Sequence, residues 1–138
     1  MSPLREFFWP VRIYYESTDA GGVVYHAEYL KFFERARTEW LRSLGFEQPE
    51  LRSSDGVIFV VRSMRIKYVQ PARFNESLQV ASRLVELGRS RFVFEQALMR
   101  GEELLTQAQV EVACVADPDF RPTALLSKIR QQFESVLS

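Results

Sequence analysis

The spacing of hydrophobic residues changes along the chain from a helical repeat to an alternating one. In the first third, large apolar side chains recur every three or four positions, which places them on one face of a helix. These side chains belong to Tyr29, Phe33, Ala36, Trp40 and Leu44. Gly45 follows the last of them, where a glycine often ends a helix. The pattern predicts a long amphipathic helix, His26–Leu44, whose apolar face must pack on another element.

Alternating apolar and polar residues predict five β-strands around this helix. Their ranges are Phe8–Tyr15, Val57–Tyr68, Leu78–Leu87, Phe92–Met99 and Leu104–Ala116. One face of the second strand is predicted to carry Ile58, Val60, Met64, Ile66 and Tyr68, with Arg62 as an interruption. Tight turns join most of the later strands, which favours an antiparallel sheet with the helix on one face. The predicted fold class is α+β: a long helix wrapped by a five-stranded antiparallel sheet, followed by a short C-terminal helix, Thr123–Leu137.

Composition and charge limit the function classes. The 138 residues carry 18 basic and 18 acidic side chains, so the formal charge is zero. A chain of this length is expected to form one domain, 1–138, and its balanced charge argues against sequence-independent binding of nucleic acid. No apolar stretch approaches the length of a membrane span, and the first 25 residues lack a signal-peptide pattern. We expect a cytoplasmic protein without a membrane span.

The single cysteine and the single histidine exclude several kinds of site. Cys114 alone can form neither an intrachain disulfide nor a cysteine-based zinc site, and His26 alone cannot build a multi-histidine metal site. Cys114 falls on the apolar face of the last predicted strand, which favours a small core residue over a nucleophile. We therefore expect no metal and no redox cofactor.

The strongest chemical signal is a loop with a carboxylate directly before the long helix. Asp19 stands beside Gly21 and Gly22, which let the backbone approach a ligand closely, and His26 follows at the predicted helix start. No capping side chain stands at positions 24–26, so the first helical N–H groups are free to hold a negative oxygen. This combination suits hydrolysis of an activated acyl group. The alternative is structural: Asp19 forms a turn, and His26 is an ordinary residue of the first helical turn.

The segment that carries this loop, RIYYESTDAGGVVYHAEY, resembles the N-terminal signature of the 4-hydroxybenzoyl-CoA thioesterase family, which has the hotdog fold. The signature positions are Arg12-Ile13, Thr18-Asp19, Gly22-Val23-Val24, His26 and Tyr29. The similarity continues through FFERARTEWL and FVVRSMRIKYVQPAR and is greatest to the family's Tol-Pal-associated acyl-CoA thioesterases. Two departures are visible, because relatives often carry Asp where Ser17 stands and Pro where Leu126 stands.

The resemblance implies a set of roles for residues of the loop. Asp19 would be the catalytic carboxylate, and the backbone N–H of His26 would polarise the thioester carbonyl. Tyr25 and the His26 side chain would line the thioester end. Gly21, Gly22 and Val23 of the same loop are candidates for substrate binding. The resemblance also implies a homodimer, or a homotetramer built from dimers, in which the second strands pair and the sites lie between subunits.

Two further groups of residues are candidates for substrate binding. Arg89, Ser90 and Arg91 stand at the turn between the third and fourth strands, where guanidinium groups could hold the phosphates of coenzyme A. The alternative is a solvated turn. Arg62 could pair with either a carboxylate or a ligand. Part of the helical stripe that includes Phe33 and Trp40 could line an acyl pocket, although core packing is its main expected role.

The predicted function is hydrolysis of small or medium acyl thioesters of coenzyme A, with acyl carrier protein as a second acyl donor. The predicted partners are the acyl-CoA substrate, a second copy of the chain, and envelope or lipid-synthesis proteins. Two alternatives stay open. One is a hydratase or dehydratase on the same fold, and the other is a non-catalytic module that binds acyl thioesters or acts as a scaffold.

Overall fold

The computed structural model describes residues 5–138, which form one five-stranded antiparallel sheet and three α-helices. The strands are β1 (Phe7–Arg12), β2 (Val57–Tyr68), β3 (Ser77–Leu87), β4 (Arg91–Arg100) and β5 (Glu103–Ala116). The helices are α1 (Glu28–Ser43), α2 (Gln48–Asp55) and α3 (Ser127–Val136). The predicted α+β hotdog arrangement is confirmed. The first four residues of the predicted domain lie outside the described residues.

The order of strands in the sheet leaves β1 and β2 at its two edges. The order is β1-β3-β4-β5-β2, with every pair antiparallel. β1 is only 6 residues long and contains Pro10, which lacks the N–H that further pairing would use. β2 is 12 residues long and contains no proline. The β2 edge is therefore the one able to accept another strand along most of its length.

The core lies between α1 and the inner face of the sheet, as the helical stripe predicted. α1 buries Tyr29, Phe32, Phe33, Ala36, Trp40 and Leu41. The Trp40 ring meets Phe94 of β4 edge-on, with centroids 4.8 Å apart, and lies 4.9 Å from Phe133 of α3. Edge-on aromatic packing is favourable beyond the area that it buries. The C-terminal helix thus closes the core at the far end of α1.

A β-bulge at Arg62 corrects the predicted inner face of β2. Val61 pairs with Val112 and Ser63 pairs with Glu111, so Arg62 has no partner in the register. An extra residue reverses the alternation of side chains beyond it. Phe59, Met64 and Ile66 pack against the core, whereas the predicted face placed Ile58 and Val60 with Met64. Arg62, which interrupts the predicted apolar face, is the residue at which the alternation of inward and outward side chains shifts by one position.

Two predicted boundaries are also corrected, and one helix was not predicted. The first strand ends at Arg12 rather than Tyr15, because Arg12 opposes Ser77 at the start of β3 and the tyrosines beyond have no strand to pair with. The C-terminal helix begins at Ser127 rather than Thr123. Helix α2 was missed, although Pro49 in its first turn and Gly56 in the left-handed conformation are helix start and stop signals. It has one buried side chain, Leu51, which leaves little hydrophobic repeat to detect.

Cys114 is a core residue of β5, as predicted. Its side chain is fully buried, and burial raises the pKa of the thiol to about 11 from an ordinary value of 9.0. Because the thiolate is the reactive form, we expect native protein to resist iodoacetamide at pH 8 while unfolded protein is alkylated at once. Mass spectrometry after timed exposure measures this difference. Rapid alkylation of the folded chain would contradict the buried placement.

Candidate active site

The loop that carries Asp19 is closed by its own hydrogen bonds. The Asp19 backbone N–H donates to the Val23 carbonyl at 2.9 Å, and the Gly22 N–H donates to the Asp19 carbonyl at 3.0 Å. The Asp19 Oδ1 atom accepts a hydrogen bond from the Gly21 N–H at 2.8 Å. The turn-forming role considered for Asp19 is therefore real. It occupies only Oδ1, and within residues 5–138 no hydrogen bond reaches Oδ2.

The geometry of the loop explains why glycine stands at positions 21 and 22. Gly22 has a φ of 78°, in the left-handed region that other residues adopt at a cost. A Cβ on Gly21 would lie 3.3 Å from Asp19 Oδ1, which is tighter than an ordinary contact. The first glycine lets the chain approach the carboxylate, and the second lets it turn back toward the helix.

Hydrogen bonds to distant segments hold the loop in place. The Val24 N–H donates to the Ala72 carbonyl at 2.8 Å, in the connection between β2 and β3. The Tyr25 N–H donates to the Ser17 carbonyl at 2.9 Å, and the Ala72 N–H donates to Tyr29 Oη at 3.1 Å. The loop is thus fixed on both sides, and the position of Asp19 relative to α1 follows from these contacts.

The start of α1 presents free backbone donors next to this loop. His26 lies two residues before the first helical residue, which corrects the predicted helix start. No side chain caps the helix, and the Glu28 N–H donates to the Tyr25 carbonyl at 2.9 Å. Among the described residues, the His26 N–H has no hydrogen-bond partner. This donor, at the positive end of the α1 dipole, is suited to hold a developing oxyanion.

Tyr68 at the end of β2 fixes the peptide next to that donor. Its hydroxyl donates to the His26 carbonyl at 2.8 Å. Burial, with a smaller contribution from neighbouring Tyr29, raises the pKa of Tyr68, so the hydroxyl stays a donor. Tyr68 was not predicted to belong to the site, because 42 residues separate it from His26 in the chain.

The aromatic side chains predicted at the thioester end lie together. The Tyr25 and His26 rings are 4.5 Å apart, and the Tyr25 side chain is about half exposed. Ser17, where relatives often carry Asp, is buried behind them. The pKa of Glu28 is lowered, first by its hydrogen bond with Lys31 and also by one from Ser17, so the first turn of α1 carries a stable negative charge.

Within one chain, the predicted phosphate-binding turn lies far from Asp19. The Asp19 loop contacts the connection before β3, whereas Arg89 and Ser90 follow the end of β3, 11 residues along. At about 3.3 Å per residue, the two ends are roughly 33 Å apart. The turn is held by α3 and by the segment just before it, since the Arg89 carbonyl accepts from the Leu125 N–H at 2.9 Å and from Arg130 Nη2 at 3.4 Å. One chain does not bring these residues together.

Two of the predicted binding arginines share one carboxylate on the outer face of the sheet. Arg62 Nε lies 3.8 Å from one Glu111 oxygen, and Arg91 Nη2 lies 3.6 Å from the other. Arg91 also lies 3.6 Å from Glu86. The pairing of Arg62 with a carboxylate, one of the two roles considered for it, is present in the structure.

Among residues 5–138, no group of three or more His, Cys, Asp or Glu side chains is placed to hold a metal ion. No helix in the same range combines the length and the apolar character needed to cross a membrane.

Comparison with known proteins decides the family. The model of the thioesterase superfamily matches residues 21–107, which begins two residues after Asp19. The chain belongs to the thioesterase superfamily. The acyl-CoA thioesterase YbgC of Haemophilus influenzae is 46% identical over 92% of this chain and 93% of its own length. The acyl-CoA thioester hydrolase YbgC of Escherichia coli O6:H1 is 45% identical over 93% of this chain and 96% of its own.

Solved structures of thioesterases show the same fold. A probable thioesterase from Bartonella henselae superposes with a TM-score of 0.84 at 40% identity, covering 88% of this chain and 99% of its own. The resemblance read from the loop and helix segments is therefore confirmed at the level of both sequence and fold.

Proposed function

We propose that this superfamily member hydrolyses acyl-CoA thioesters, with Asp19 as the catalytic carboxylate and the His26 backbone N–H as the oxyanion donor. The observation that carries the proposal is the pairing of an unused Asp19 Oδ2 atom with an uncapped helix start on one hydrogen-bonded loop. The names of the YbgC relatives support thioester hydrolysis over the hydratase and scaffold alternatives.

The chemistry follows from what the two groups can do. Oδ2 accepts a proton from water whose oxygen attacks the carbonyl carbon, or it attacks that carbon itself and forms an anhydride that water then opens. In both routes the carbonyl oxygen becomes negative and is held by the His26 N–H. In the first route the C–S bond then breaks, and the coenzyme A thiolate receives the proton that Oδ2 took from water. In the second route the C–S bond breaks as the anhydride forms, and the thiolate receives a proton released when water opens the anhydride. Neither route uses a cofactor, and the absence of a cofactor stays a prediction.

The proposed active form is a homodimer in which β2 pairs with β2 of a second copy. The 12-residue β2 edge is the available edge, and an exposed edge of this length invites pairing. A two-fold axis makes such pairing antiparallel, so the Val57 end of one β2 lies beside the Tyr68 end of the other. The Arg89 turn lies at the same end of the sheet as Val57. In the combined sheet, the Arg89 turn of one copy therefore lies at the same end as the Asp19 loop of the other copy.

This arrangement gives a test for the coenzyme A contact. Arg89→Ala is expected to raise KM for acyl-CoA with little change in kcat, because a phosphate contact binds substrate and transition state equally. The same variant should leave KM unchanged for the matching N-acetylcysteamine thioester, which lacks the nucleotide. Steady-state thiol release on both substrates makes the comparison. Equal KM values for wild type and variant on acyl-CoA would favour the solvated-turn alternative.

The acyl range is tested by thiol release over acyl-CoAs of graded chain length, with small to medium chains expected to react fastest. No release from any acyl-CoA would contradict the proposed function. Acyl carrier protein as donor, partners among envelope or lipid-synthesis proteins, an association with Tol-Pal, and a cytoplasmic location stay predictions.

A further inference from the structure

A cavity of about 250 Å³ opens between the second half of α1 and the inner face of the sheet. We call it the α1 slot. Its walls are mainly aromatic, and the rings are those of Trp40, Phe59, Phe92 and Phe94. Glu34, Thr38 and Gln48 lie at its polar rim. A concave site that combines aromatic walls with placed polar groups is a common form of small-molecule site.

Arg37 is the basic side chain among the residues that line the α1 slot, and it has few protein partners. Its Nη1 donates to Gln96 Oε1 at 2.9 Å. Within residues 5–138, Arg37 makes no other hydrogen bond and has no carboxylate within ion-pairing distance. A guanidinium has five N–H donors, so most of these remain unused. Burial lowers the pKa of Arg37 to about 10, with the charge of Glu34 acting in the opposite direction.

A buried polar network holds Arg37 in this position. Gln96 is 2% exposed, and its Nε2 donates to the Phe33 carbonyl and to Ser82 Oγ, both at 3.0 Å. Ser82 is itself fully buried. These bonds fix the Gln96 amide so that its oxygen faces Arg37. A buried network that fixes a guanidinium at the wall of the slot, with most of its donors free of protein partners, positions that guanidinium to bind an anion that enters the slot.

Glu34 does not form an ion pair or a hydrogen bond with the Arg37 guanidinium. Its Oε2 accepts a hydrogen bond from Thr38 Oγ1 at 2.7 Å, and its side chain is exposed to solvent. The exposed Glu34 carboxylate is screened by water, whereas Arg37 is only partly exposed and lines the same cavity as the four aromatic rings. A second anion that enters from the slot side would meet Arg37 in a low-dielectric environment, where a bidentate ion pair is strongest.

We propose that the α1 slot receives the end of the acyl chain and that Arg37 makes the enzyme selective for acyl groups that end in a carboxylate. The inference rests on the proposed acyl-CoA hydrolysis. In the antiparallel β2 pairing, the Phe59 half of one strand lies next to the Tyr68 end of its partner, where the thioester would be held. Within one copy, Arg37 lies nine residues along α1 from Glu28, the first helical residue, which is a distance of about 14 Å along the helix axis.

The test compares pairs of substrates that differ only at the chain end. Hexanoyl-, octanoyl- and decanoyl-CoA are each compared with the dicarboxylic analogue of equal length, adipoyl-, suberoyl- or sebacoyl-CoA. For wild type, kcat/KM at the best length should favour the carboxylated substrate by about tenfold or more, as expected for one charge-assisted contact. Arg37→Met should reduce that preference by a similar factor, because methionine keeps the apolar stem without the charge. Arg37→Lys should give an intermediate preference.

Arg35→Met is the matched control, since Arg35 is an exposed arginine on α1 that does not line the slot. It should keep the wild-type preference. A wild-type preference for the uncharged partner at every length would overturn the inference and leave acyl-CoA hydrolysis intact. Loss of all hydrolysis in wild type would overturn both proposals. Dissociation of Arg37→Met into monomers would also overturn the inference, because the guanidinium would then be an interface group.

Discussion

Asp19→Asn is expected to lower kcat for acyl-CoA hydrolysis by at least ~10², while the thermal midpoint stays at or above that of wild type. The two effects separate because the two carboxylate oxygens have different partners. Asn keeps an oxygen that can accept the hydrogen bond from the Gly21 N–H, which holds the loop. It replaces the second oxygen with an amide that can neither take a proton from water nor attack the thioester. Thiol release and thermal melting on the same preparation measure both.

His26→Ala is the contrasting variant. The proposed oxyanion donor is a backbone N–H, which alanine retains, so this change should cost less activity than Asp19→Asn. Tyr68 still fixes the peptide through its bond to the His26 carbonyl. Wild-type turnover by Asp19→Asn would remove the catalytic role and leave Asp19 as a turn former. Melting far below wild type, with activity lost in proportion, would support the same structural role.

The parts of the fold that the sequence predicted are those with a regular repeat. α1 differs from its predicted range by two residues at the start and one at the end, since its apolar stripe and Gly45 are local signals. The predicted apolar placement of Cys114 on β5 was also correct, because no bulge on β5 disturbs the alternation between Ala108 and Cys114. The prediction for β2 failed at Arg62, because one extra residue moves every later side chain to the opposite face of the sheet.

The site was predictable only where its residues are neighbours in the chain. The structure places Asp19, Gly21, Gly22 and His26 on one short loop, as the local pattern predicted. Tyr68 and Arg37 depend on contacts across 42 and 59 residues, which no local pattern encodes. Arg37 was hidden further by its position on the α1 helix, where a charged residue ordinarily indicates a solvated face. Gln96 from β4 is what gives it a different environment.

The dimer is expected to depend on the β2 edge. Val61 is 49% exposed on that edge and adjoins the bulge at Arg62, near the middle of the strand. Antiparallel pairing about a two-fold axis brings the middles of the two strands together, so Val61→Glu would place like charges close to each other. Like-charge juxtaposition at an interface costs several kcal/mol, so the dimer dissociation constant should rise by at least about 10². Sedimentation over a dilution series measures this shift directly.

Phe8→Glu supplies the matched control for this prediction. Phe8 is 50% exposed on β1, the opposite edge, where the strand is short and contains Pro10. The same charge there should leave the dimer intact. Wild-type specific activity should also fall on dilution through the dissociation constant, because the proposed site lies between two copies. A wild-type chain that sediments as a monomer at micromolar concentration and keeps full activity would contradict both the β2 pairing and the shared site. Loss of the dimer in Phe8→Glu alone would move the interface to the β1 edge.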